Sequence, residues 1–134
     1  MSDWNTRVIN EFRANGGKVA QFGDAPLVIL HTIGAKSAAV REIPLVALLQ
    51  PDRMVVFASA AGSPKHPDWY YNLLATPDIT VEYQTESFQA RVTELPADEA
   101  AANLNAQAEL MPQFGGYITS AAPRVIPAFS ITRA

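Results

Sequence analysis

Cysteine is absent from this chain, and its absence removes disulfides, thiolate metal sites and thiol nucleophiles together. Histidine is nearly as scarce, with only His31 and His66. His31 sits inside an apolar run, where a hydrogen-bonded structural histidine is the ordinary outcome. His66-Pro67-Asp68 brings no further nitrogen ligand, so no metal site is expected. Basic charge is not in excess: 10 Lys and Arg stand against 13 Asp and Glu, a formal net charge of -3. Without a broad basic footprint, nucleic acid is not an expected partner. No apolar run approaches the roughly 20 residues that cross a bilayer, and the N-terminus lacks the basic-then-apolar pattern of a signal peptide. A soluble, cytoplasmic protein is the expectation.

At 134 residues the chain can bury a sizeable core but cannot hold separate cofactor and substrate domains, so 1–134 is read as one domain. Its cations are concentrated early. Residues 1–72 carry seven Lys and Arg against six Asp and Glu, and residues 73–134 carry three against seven. Over 1–16, Trp4, Val8, Ile9 and Phe12 fall at helical spacing, and Gly16-Gly17 ends the run. The apolar face of this helix is expected to dock on the rest of the fold, with a peripheral membrane contact as the alternative.

Leu27 to Ile33 then reads as a buried strand. Ile43 to Leu49 and Met54 to Ser59 read as an antiparallel pair joined by Gln50-Pro51-Asp52-Arg53. A short helix follows Pro67, and Ile79 to Tyr83 with Ser87 to Thr93 forms a second hairpin. An alanine-rich helix runs from Pro96 to about Leu110 and stops at Pro112. Val125 to Ile131 closes the chain as a strand that Pro127 assigns to an edge or a bulge. About six short, mostly antiparallel strands with flanking helices predict an α+β, mainly β, small barrel.

Two blocks concentrate the chemistry. The first runs from Gly34-Ala35-Lys36-Ser37 to Arg41 and on to Pro44-Leu45. The second runs from Ser59-Ala60-Ala61-Gly62-Ser63-Pro64-Lys65 to Trp69-Tyr70-Tyr71-Asn72. Both follow apolar strands, and both combine small residues with hydroxyls and cations suited to phosphate oxygens. A Walker A loop is excluded, because Ala35 stands where glycine must precede the lysine. No Gly-x-Gly-x-x-Gly supports a dinucleotide fingerprint, and no Gly-x-Ser-x-Gly elbow supports a serine hydrolase.

With these residues in place, the chain resembles the deazaflavin-dependent nitroreductase family, split β-barrel enzymes that use coenzyme F420. The resemblance rests on Gly34-x-Lys36-Ser37-x-x-x-Arg41-x-x-Pro44-Leu45 and on Ser59-x-x-Gly62-x-Pro64-Lys65-x-Pro67-x-Trp69-Tyr70-x-Asn72-Leu73. It implies a single-domain split β-barrel with F420 as cofactor and hydride transfer to a quinone, enone or nitro compound. It places Lys36, Ser37 and Arg41 on the cofactor's phosphate and tail, helped by Ser59, Ala60, Ala61, Gly62 and Lys65. Main chain at Pro44, Leu45 and Val46 and at Phe57, Ala58 and Ser59 lies along the ring, and Trp69, Tyr70 and Asn72 fix the pocket's edge. Met111, Phe114 and Tyr117 offer a substrate wall, with Tyr117 first and Ser59 second as candidate proton donors. Many relatives read Lys-Ser-Gly where this chain has Lys36-Ser37-Ala38, a harmless change unless that position needs a positive φ. FMN in place of F420, or a non-catalytic F420-binding or storage role, are the alternatives.

Overall fold

The structure, a computed structural model, describes residues 3–63 and 65–134. Met1 and Ser2 of the expected helix, and Pro64 of the second block, lie outside the described residues. Seven strands build one antiparallel sheet: β1 (Leu27–Ile33), β2 (Val40–Val46), β3 (Leu48–Leu49), β4 (Met54–Phe57), β5 (Asp78–Tyr83), β6 (Glu86–Glu94) and β7 (Ala128–Arg133). Their order is β2-β1-β5-β6-β7-β4-β3. The helices are α1 (Asp3–Ala14), α2 (Asp68–Ala75), α3 (Ala97–Leu110) and α4 (Gln113–Ala121).

β2 and β3 lie at opposite ends of this order, yet Ala47 alone separates them in sequence. A sheet whose two ends are joined by one residue must curl until they meet, which gives a half-barrel split along that seam. The apolar runs are continuous rather than alternating because both sheet faces are covered. Val28 and Leu30 face the barrel core with Val56, Val81, Val92, Phe129 and Ile131, and Trp69 and Leu73 of α2 join them. Leu27 and Ile29 face outward under Val8, Ile9 and Phe12 of α1. Val55 and Phe57 face outward under Leu104 of α3 and Phe114 of α4. The first helix thus docks on the barrel through Val8, Ile9 and Phe12 of the four expected residues, while Trp4 stays exposed with its ring edge against Phe22. Among the described residues, no helix is long and apolar enough to cross a membrane.

Three details differ from the sequence reading. The expected pairing of Ile43–Leu49 with Met54–Ser59 is divided, since Val40 to Val46 pairs along its whole length with β1 and only Leu48 and Leu49 pair with β4. Apolar content marks a strand but not its partner, and Pro44 is tolerated because β2 is an edge. Pro127 marks neither an edge nor a bulge in a strand: β7 begins after it and lies between β6 and β4. The proline's missing donor therefore falls outside the ladder, and its carbonyl accepts from Ala58 at 2.9 Å. Finally, α4 was not foreseen. Gly115-Gly116 lowers its helix propensity, although Phe114, Tyr117 and Ala121 share one helical face.

Candidate functional site

The first block is the loop of the β1–β2 hairpin. Its ends close through Gly34 N–H to Ala39 C=O at 2.8 Å and Ala38 N–H to Gly34 C=O at 2.9 Å. The Ser37 hydroxyl accepts from the Ala39 amide at 3.3 Å and folds so closely over Gly34 that a Cβ there would lie 2.5 Å from its oxygen. Only glycine leaves room for that hydroxyl. Asn72 of α2 accepts from the Ala35 amide at 3.0 Å, tying the loop to the helix that follows the second block. Thr32, buried in β1, donates to the Arg41 carbonyl at 3.0 Å and fixes the start of β2. Lys36 and Arg41 are exposed, and among the described residues no carboxylate forms a salt bridge with either.

The second block is held from behind by a residue that sequence reasoning missed. The Arg124 guanidinium donates to the carbonyls of Ala58 (2.9 Å), Ser59 (2.9 Å) and Ser63 (3.0 and 2.8 Å). It also bonds His66 Nδ1 at 2.9 Å. The available signal was that Arg124 is the sole cation between Arg91 and Arg133, in an otherwise apolar and proline-flanked segment. Gly62, at φ +81°, lies under α4, where a Cβ would come within 2.7 Å of Ser120 Cβ. Glycine here lets α4 close over the loop.

Between the two blocks runs a groove of three connected cavities. The first, about 340 Å³, is apolar and lined by Ile43 to Val46 of β2, Phe57, Ser59, Ala60, Trp69, Phe114 and Tyr117, with Trp4, Asn5 and Phe22 at its mouth. Ile43, Trp69 and Asn5 continue into a cavity of about 320 Å³ that reaches Arg41, Asp68 and Asn72. These last three continue into one of about 650 Å³ walled by Gly34 to Ser37 and Tyr71. An apolar slot thus runs into a cationic, hydroxyl-bearing loop.

The predicted site residues divide along this groove. Pro44, Leu45, Val46, Phe57, Ser59, Ala60, Trp69, Phe114 and Tyr117 meet at the apolar end, and Lys36, Ser37, Arg41 and Asn72 at the cationic end. Ser59 and Ala60 therefore sit beside the apolar slot rather than beside Lys36. The Ala61 side chain lies outside what the structure describes, and Ala58, Gly62, Lys65, Tyr70 and Met111 line none of these three cavities. Tyr70 turns away, stacks on His66 with ring centroids 4.4 Å apart and donates to Glu94 Oε2 at 3.0 Å. Burial and then that hydrogen bond push its phenol above the usual range. Met111 packs with the α3–α4 core, its sulfur accepting from Gln107 at 3.4 Å. The α1 residues Trp4 and Asn5 were missed as lining, because helical periodicity assigns a face but not a neighbour.

A curled antiparallel half-barrel with such a groove is the scaffold of the split-barrel reductases. The chain belongs to the F420H(2)-dependent quinone reductase family, whose model matches residues 4–132. It is similar to the F420H(2)-dependent quinone reductase of Mycobacterium tuberculosis strain H37Rv, with 33% identity over 79 residues, 58% of this chain and 53% of that protein. The match therefore spans about half the length of that relative. Among solved structures, an F420-H2 dependent reductase aligns at a TM-score of 0.70 and 32% identity over 79% of this chain and 93% of its own. A chain described as a domain-swapped dimer aligns at 0.72 and 30% identity, over 96% and 97% respectively.

Proposed function

We propose that the chain is an F420H2-dependent reductase that holds the reduced deazaflavin in the groove and passes its hydride to an electron-poor small molecule, with quinones the first acceptor class. The observation that carries this reading is the continuity of the groove from the Phe57–Trp69–Tyr117 slot to the unpaired cations Lys36 and Arg41. Family membership and the names of the relatives support it. The residues present fit such a group: the apolar slot suits an aromatic ring, and the Gly34 loop brings backbone, hydroxyl and cations to one cavity of about 650 Å³, roomy enough for a phosphate-bearing tail.

When bound, a deazaflavin supplies hydride transfer, because carbon replaces the reactive N5 of a flavin. The chain's own residues bind, orient and exclude water. Lys36, Ser37 and Arg41 anchor the phosphate-bearing tail, while main chain from Pro44 to Val46 and around Ser59 holds the ring. Phe114 and Tyr117 wall the space above it, where an acceptor must approach to about 3–3.5 Å for productive transfer. Tyr117 lines this slot, its hydroxyl bonds no protein group among the described residues, and it is the first candidate to donate a proton to an acceptor oxygen. Ser59 is the second candidate.

We place the activity in the cytoplasm. Any contact at the inner face of the membrane falls to the Trp4 end of α1, because Val8, Ile9 and Phe12 are committed to the barrel. The test is calorimetric titration of the purified protein with F420 and with FMN, followed by oxidation of F420H2 with a quinone, enone and nitroaromatic panel. Saturable F420 binding and quinone-dependent oxidation are expected. FMN binding without F420 binding would replace the cofactor, and F420 binding with no acceptor turnover would leave a storage protein.

A further inference from the structure

The residue that organises the second block is absent from every motif that marks the groove. Arg124 has five N–H donors, and all five are engaged, on the carbonyls of Ala58, Ser59 and Ser63 and on His66 Nδ1. None is left for a ligand. Among the described residues no carboxylate forms a salt bridge with it, and its charge is met by three carbonyl groups and the His66 ring nitrogen. The loop it grips includes Ala60 at φ +47°, a conformation that alanine holds only when its surroundings impose it. Ser59 and Ala60 in turn form part of the apolar slot.

We propose that Arg124 is a positioning residue for the groove: its guanidinium holds Ala58 to Ser63 in the ligand-facing conformation, and His66 makes that hold sensitive to protonation. The proposal rests on the reading of the groove as a deazaflavin site.

The sensitivity follows from the hydrogen-bond direction. Arg124 can only donate, so His66 Nδ1 must accept and the imidazole must be neutral, with its proton on Nε2. Protonation of Nδ1 sets a second N–H against the guanidinium and breaks the contact. Burial first, and Arg124 second, hold the His66 pKa below its ordinary value, while Glu94 opposes them. The groups facing the ring are Arg124, Tyr70 stacked at 4.4 Å, Tyr71 at 6.1 Å and, through the Tyr70 hydroxyl, Glu94. Lys65 and Asp68 flank it in sequence.

The experiment compares the full-length protein with Arg124→Lys and His66→Gln by calorimetric titration with F420. Lysine keeps the charge but cannot span three carbonyls. Its affinity should fall about tenfold at about pH 7.5, the scale of losing charge-assisted hydrogen bonds. Glutamine offers Arg124 an acceptor that does not titrate. The ratio of wild-type to His66→Gln dissociation constants should be near one at about pH 7.5 and rise progressively below about pH 6.5, by at least about threefold at the most acid pH at which both proteins stay folded, with the ligand's own titration cancelling. Parallel pH curves overturn the part given to His66, and unchanged affinity in a folded Arg124→Lys overturns the positioning role, while wild-type binding stands. A wild type that binds no F420 removes the reading of the groove itself, and the proposal with it.

Discussion

Ala38 turns the hairpin loop at φ +60°, and Ala60 turns the second loop at φ +47°. Only one other described non-glycine residue, Gln84, has a positive φ, so two of three such positions fall in the two blocks. A left-handed residue with a Cβ costs roughly 1–2 kcal/mol, and glycine in its place returns roughly 0.5–1 kcal/mol as backbone entropy. Ala38→Gly should therefore stabilise the protein by up to about 1 kcal/mol, read as a raised midpoint in thermal or urea unfolding. An unchanged or lowered midpoint would mean that the loop relaxes around alanine. The same position answers the condition set by the resemblance, since the angle it requires is one that glycine adopts freely. At the proposed clamp, Lys36 and Arg41 are solvent-exposed, so water and salt screen them. Lys36→Ala and Arg41→Ala are each expected to weaken F420 binding by about 1–2 kcal/mol at low ionic strength, and by less in high salt. Salt-independent losses would argue for a packing role instead.

At the scale of elements, α1 joins sequence to site. Its docking face was legible because Val8, Ile9 and Phe12 keep helical spacing, and its end was legible in Gly16-Gly17, both at positive φ. What spacing does not show is its latch. Arg13 in the last turn pairs with Glu42 of β2 and, at 2.7 Å, with Glu82 of β5, and Glu82 also meets His31 Nε2 at 2.6 Å. Glu42 and Glu82 lie 29 and 69 positions from Arg13, and only the strand order β2-β1-β5 brings them together. The Arg13 hydrogen bond, followed by that of His31, holds the Glu82 carboxyl below its usual range despite partial burial. A carboxylate depressed in the folded state stabilises it above the unfolded pKa of about 4.5, and the gain is lost as pH falls through the folded value. Glu82→Gln should thus cost about 1 kcal/mol at pH 7, a modest figure because Arg13 is partly exposed, and the deficit should close below about pH 4.5. Urea titrations of both proteins at several pH values measure it. A deficit that persists in acid would assign the loss to packing.

On the scale of the whole molecule, the groove assembles from α1, β2, the β4–α2 loop, α2 and α4, elements that meet only once the sheet has curled. That explains which parts of the site were legible. The two blocks are local, and their glycines, hydroxyls and cations stand close in sequence. Arg124, Trp4 and Gln113 reach the site from the chain's ends, and nothing in their neighbours' periodicity marks a destination. The division of the expected hairpin has the same origin, because Val40 to Val46 could pair equally by composition with β1 or β4, and only the closure at Ala47 decides. The chain also supplies its own reporters, since Trp4 lies at the groove mouth on α1 and Trp69 in the barrel core, and these are its two tryptophans. α1 is joined to the rest of the fold through side chains such as Val8, Ile9 and Phe12, the Trp4 ring against Phe22, Glu11 on the Ala20 amide and the Arg13 latch, whereas the barrel strands carry continuous backbone ladders. Sub-global opening should therefore begin at α1. In denaturant titrations monitored by fluorescence, Trp69→Phe, which leaves Trp4, should report a transition at lower urea than Trp4→Phe, which leaves Trp69. Each curve is referred to that variant's own far-ultraviolet dichroism, so that a shift in global stability does not imitate the effect. If both fluorescence curves coincide with the dichroism, α1 unfolds with the sheet and the groove has no independently opening wall. If Trp4 leads, ligand that spans the slot should delay its transition most, because binding to the closed form stabilises the element that closes it.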